Sequence, residues 1–264
     1  WGYWLFDWSI ARWSWEYKIN GNIQQRNPTD AIQLLFGDND IVSLMQEHLH
    51  IQQKYLKDQN LIQWLTAMTV IDEMPFGFNK NFQPRPPYSY KSIANKIDST
   101  TVESIQNNII PLLYTFGNKT IALCNKMKKT PVSIHQRLNK EWVDALYVTG
   151  FRSLHRFFTL QYLLSKRRAE LKNQAFNNPE FLDSAASIRQ QAQAIVTQRE
   201  MYYRYPADLL GRKRKGYTAY EFGYLYPVSN LHFWQREEMQ ARKNKWNYRF
   251  MNIWDVLKII GIKS

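Results

Sequence analysis

Glu47 and His50 lie three residues apart in "QEHLH", a spacing that puts a carboxylate and an imidazole on one face of a helix. Helical di-iron proteins use two such Glu-x-x-His motifs with two further glutamates. This chain has one motif, so Glu47 and His50 form a candidate metal site with half of that ligand set. His48 and His50 are two apart and point to different sides of a helix, so His48 is expected to pack and His50 to face water. Two pairs of adjacent acids, Asp72–Glu73 and Glu237–Glu238, have the functional groups for general acid–base chemistry. On a helix, however, neighbouring acids commonly mark a solvated edge. The segment "YLYPVSNLHFWQREE" gathers Tyr224, Tyr226, His232, Trp234 and Glu237. Aromatic surface beside an acid can bind sugars; the plainer expectation is a helix entry packed on the core.

The familiar catalytic signatures are missing. There is no Gly-x-Ser-x-Gly, no His-Glu-x-x-His and no phosphate-binding loop of the Walker type. The 10 glycines do not cluster, which argues against a dinucleotide or P-loop site. Cys124 is the one cysteine, so neither an internal disulfide nor a multi-cysteine zinc site can form. Its apolar surroundings, "TIALCNKM", predict a small buried hydrophobe rather than a nucleophile. We assign no catalytic residue and expect no cofactor.

Basic groups are more numerous. The formal net charge is +13, which favours polyanionic partners. Lys126, Lys128 and Lys129 precede Pro131, Arg152 and Arg156 share a helix face, and Lys166, Arg167 and Arg168 follow on the same stretch. The sharpest run is Arg212, Lys213, Arg214 and Lys215, flanked by Gly211 and Gly216 with Tyr217 and Tyr220 beside it. On a loop these four can reach phosphates or an acidic protein face, and they are the candidate anion-binding residues. The plainer alternative is a solvated loop that aids solubility.

The first residues, "WGYWLFDWSIARWSWEY", are the most aromatic stretch. With helical spacing, Trp1, Trp4, Leu5, Trp8 and Trp15 fall on one face, and Phe6, Ile10, Trp13 and Tyr17 form a second stripe. A helix apolar nearly all round must be covered on most sides. Residues 1–20 are therefore expected to be an aromatic helix that serves as interface or core cover. Trp1, Trp4, Trp8, Trp13 and Trp15 are its candidate contact residues. The chain starts at Trp1 rather than Met, so it is expected to be a processed product, an excised domain or an incompletely traced chain.

Behind that helix, residues 21–264 read as a single helical domain. Asn27, Pro28 and Gly37 punctuate a first helix, and Asp40 caps a second. A Pro-rich strap crosses 75–91. A helix starts at Thr101, and Pro111 must interrupt it; a short helix then runs to "KMKKTP". A long apolar-periodic stretch follows Ser133, with Gly150 as a kink. Further helices open at Asp183 or Ser184 and from Leu231 to Gly261. Strand signals are few, so the fold class is mainly α, a multi-helix domain with long Pro-rich and aromatic connections and little or no sheet. No apolar run approaches the roughly 20 residues of a membrane span.

Three function classes remain. The preferred one is a non-catalytic helical subunit or adaptor of a larger assembly, acting through aromatic and basic surfaces on other protein subunits. Membrane association at an anionic lipid surface, in an organelle after loss of an N-terminal segment, is one form of it. The alternatives are a nucleic-acid-associated basic protein of the ribosome-bound kind, and a helical enzyme with a metal or carbohydrate site. Aromatics spread through helices rather than over an exposed sheet lower the nucleic-acid alternative.

Overall fold

A computed structural model describes residues 28–37, 39–65, 86–132, 134–176, 178–200 and 231–246. Among these the chain is mostly helical and has no strand, as the apolar periodicity predicts. The elements are α1 (Pro28–Phe36), α2 (Asn39–Gln52), a π-helical turn (Gln53–Asp58), α3 (Ile62–Leu65), α4 (Tyr90–Asn95), α5 (Ser99–Asn108), α6 (Ile110–Lys129), α7 (Gln136–Leu171), α8 (Glu180–Glu200) and α9 (His232–Lys243). No helix among the described residues is long and apolar enough to cross a membrane. The aromatic stretch from Trp1 to Tyr17, the Arg212–Lys215 run and most of the Pro-rich strap lie outside the described residues.

The described residues fall into two compact units. One comprises those up to Gln59 together with Asn118–Gly150; the other comprises Asn60–Gly117 and those from Phe151 onward. In the first unit α1 packs on α2. Gly37, with φ +62, ends α1 in the left-handed conformation that glycine adopts without strain. Ile32, Phe36, Ile41, Met45, Leu123, Met127 and Trp142 are buried there. In the second unit Ile93, Val102, Ile105, Leu113, Phe116, Leu160, Leu163, Leu182 and Ala185 are buried, and α8 packs on α9.

Caps decide several boundaries. Ser89 precedes α4 in an extended conformation, and its Oγ accepts from the Ser92 amide at 3.1 Å. This satisfies one of the amides that a helix start leaves without an internal partner. Replacing Ser89 with Ala is expected to cost about 1 kcal/mol, read as a lower urea midpoint at unchanged slope. At α5 the cap is Asp98, whose Oδ1 accepts from the Thr101 amide at 2.8 Å. Thr101 is thus a residue of the first turn, and the helix starts two residues before the sequence reading placed it. Pro111 does interrupt: α5 ends at Asn108, and Pro111 takes the second position of α6, where a missing amide proton costs no helix bond. The helix that follows is long, not short. Likewise α8 opens directly after Asn178–Pro179, ahead of Asp183. Finally, α9 stops at Lys243 instead of running on to Gly261. Asn244 adopts φ 48 there, and its amide donates to the Ala241 and Gln240 carbonyls.

α7 spans 36 residues, about 54 Å. No residue from Glu141 to Ala169 is exposed. Polar residues on the buried face of such a helix must meet partners, and that requirement creates the site described next.

Candidate functional site

Within the second unit α7 carries Phe151, Leu154, Leu160, Leu163 and Leu164, all buried. Arg152, His155, Arg156 and Thr159 share one face among them, at i, i+3, i+4 and i+7. Thr159 satisfies itself by donating to the His155 carbonyl at 2.8 Å. Ser153 donates to the Leu113 carbonyl at 2.7 Å and ties α7 to α6. The three basic side chains need acceptors from another element. They find them on α9, where Trp234 and Ala241 face inward and Glu237 and Glu238 occupy the turn between them.

Glu237 is the centre of the cluster. Arg152 grips it through two bonds, Nη1 to Oε2 at 2.9 Å and Nη2 to Oε1 at 2.7 Å. Arg156 reaches the same Oε1 with Nη2 at 3.2 Å. Glu238 takes a second pair of contacts. Arg189 on α8 donates to it from Nε at 2.8 Å and from Nη2 at 3.2 Å, and His155 Nε2 lies 3.0 Å from Oε1. The His155 tautomer follows from its other nitrogen. Nδ1 faces the Arg152 Nη1 donor at 3.3 Å and therefore accepts, so Nε2 carries the proton and donates to Glu238. Aromatic faces complete the enclosure. Trp234 lies under the Arg152 guanidinium at 4.9 Å, and Tyr90 lies under that of Arg156 at 4.9 Å.

The protonation states agree with this geometry. Burial by itself would raise the Glu237 carboxyl, but Arg152 and Arg156 outweigh burial and bring it down to about 2. Glu238 is lowered too: burial opposes the shift, and the bonds from His155 and Arg189 prevail. Burial holds His155 below the usual imidazole range despite its bond to Glu238. At neutral pH both glutamates are ionised and His155 is neutral. The side chains of His155, Arg156 and Glu237 are only 0%, 1% and 3% exposed. Closed to solvent, these ion pairs lock α7, α8 and α9 together.

Several sequence expectations change here. Glu237–Glu238 is not a solvated edge, because both acids are buried and ion-paired. Arg152 and Arg156 share a face as expected, but it is turned inward onto Glu237 rather than outward to a polyanion. Trp234 is a core aromatic over His155, at 5.1 Å between centroids. Within "KRR", Arg167 is already engaged, donating from Nε to the Ile97 carbonyl at 2.8 Å.

Other candidates are placed more simply. His48 is buried and meets Trp142 edge-on, while His50 is exposed. Glu47 faces Lys126 at 3.9 Å across an exposed pair. No cluster of three or more metal-ligating side chains occurs among the described residues. Cys124 is buried, and burial pushes its thiol up to about 12, so it stays a protonated hydrophobe. No protein-family model, curated protein or solved structure matches the chain, so the site is interpreted from its own residues.

Proposed function

We propose that the chain is a non-catalytic helical subunit or adaptor of a larger assembly. One observation carries this reading: the densest cluster of ionisable side chains among the described residues is closed and paired inside the second unit, while exposed lysines gather on α6. Lys119, Lys126, Lys128 and Lys129 are all exposed on α6, with Lys126 3.9 Å from Glu47. In the same unit Leu34 is 74% exposed and Ile134 47% exposed. Exposed lysines and exposed aliphatic side chains on one unit are the residue types that bind an acidic, partly apolar protein face. The buried ion lock suits the role, because a partner surface is best held on helices that do not shift.

Affinity purification of the full chain from its native source in mild detergent, followed by mass spectrometry of protein, lipid, nucleic acid and metal, tests the proposal. Protein partners in stoichiometric amount are expected. Recovery of the chain alone, with a bound metal, or with lipid or nucleic acid and no protein partner, would overturn it.

A further inference from the structure

One side of α6 turns a basic face to solvent. Lys119, Ala122, Lys126 and Lys129 stand at i, i+3, i+7 and i+10, which brings all four onto one side of the helix, and each is exposed. They lie on the part of α6 that belongs to the first unit. Among the described residues Lys119 and Lys129 have no ion-pair partner, and Lys126 has Glu47, 3.9 Å away. The helix end accounts for part of this charge. Lys126 and Lys129 sit in the last turn, where cations offset the partial negative charge of the carbonyl end. Lys119 stands about 15 Å back from Lys129, beyond the reach of that effect.

We propose that this face docks an acidic helix of a partner protein, with carboxylates spaced to meet Lys119, Lys126 and Lys129. The proposal rests on the subunit reading and names the partner's chemistry. Charge complementarity selects an acid, and spacing selects a helix. Two helices lying side by side share one rise per residue, so acids at i, i+3, i+7 and i+10 meet Lys126 and Lys129, about 10 and 15 Å from Lys119, in either chain direction. Ala122 lies between the lysines, and its short side chain lets the partner come close. The lysine stems add apolar contact beside it. Glu47 is 48% exposed next to Lys126. A uniform polyanion, such as a nucleic-acid backbone or an anionic membrane, meets a like charge there. A helix can set an uncharged or basic residue against it.

The probe is an alanine-rich helical peptide of about 20 residues with Glu at i, i+3, i+7 and i+10, bound to the full chain and read by fluorescence anisotropy. A control peptide has the same composition with its acids spread around the helix. The in-register peptide is expected to bind about tenfold tighter than the control. Replacing Lys119, Lys126 and Lys129 together by Gln should lower its affinity about tenfold at an unchanged thermal midpoint, since all three are exposed. Equal binding of the two peptides would overturn the face, as would unchanged affinity in the triple variant. Tighter binding of phosphatidylserine vesicles or of single-stranded RNA than of the in-register peptide, at equal ionic strength, would do the same. Native protein partners that the triple variant retains in full would overturn this face and leave the subunit reading standing. In-register binding with no native protein partner would support the face and remove the wider reading.

Discussion

Glu237→Gln is expected to destabilise the second unit by about 3–5 kcal/mol, the usual cost of removing one partner from a buried ion pair. The substitution conserves shape but removes the charge that Arg152 and Arg156 share. One amide hydrogen-bonding edge becomes a donor facing guanidinium donors. Arg156 then stands buried with no carboxylate. Folded domains are stable by roughly 5–15 kcal/mol, so such a loss is a large part of the total. Urea unfolding followed by tryptophan fluorescence should show a lower midpoint at unchanged slope. Glu47→Gln removes an equally formal charge from an exposed pair at 3.9 Å and should move stability by no more than about 0.5 kcal/mol. Adding Arg156→Met to Glu237→Gln should recover part of the loss, because it removes the stranded cation. If Glu237→Gln behaved like Glu47→Gln, the lock would not be holding α7 to α9.

The helical class was legible because apolar periodicity and caps are local signals. Ser89 and Asp98 act within three residues of themselves, and Pro111 acts on its own turn. The lock was not legible, because its halves lie 81–85 residues apart and chain order does not show which faces meet. A weaker signal did exist. In α9, Glu237 and Glu238 stand three and four residues after Trp234 and before Ala241, on the face those two residues turn inward. In α7, Arg152, His155, Arg156 and Thr159 form a polar stripe within 151–164, a stretch whose other residues are mostly apolar. Opposite charges at core positions of two helices are a pairing signature. Taken helix by helix, adjacent acids and arginines four apart point to solvent and polyanions; only the pairing of α7 with α9 turns them inward.

Lowering the pH from 7.5 to 4.5 is expected to weaken the fold before any carboxylate matters. In the unfolded chain an imidazole takes up its proton near 6.5, but burial holds folded His48 down to about 4. Between those values the unfolded chain binds more protons than the native one, so stability rises with pH there and is lost as pH falls through 6.5 toward 4. Integrated over that window, His48 is linked to roughly 3 kcal/mol. His155 contributes with the same sign, since burial depresses it too. The chemistry at His155 adds a specific break. Protonation puts a hydrogen on Nδ1, which can then no longer accept from Arg152 Nη1; the new donor turns toward Glu237 Oε2, 3.8 Å away. A second loss follows lower down, as pH drops from the ordinary carboxyl range toward the Glu237 value of about 2. Urea midpoints at half-unit pH steps should therefore fall in two stages. His48→Leu should flatten the upper stage by the His48 share and leave the lower one in place. A midpoint constant between pH 7 and pH 5 in the parent chain would show that these histidines stay neutral without cost, and would remove the basis for an imidazole-sensitive core.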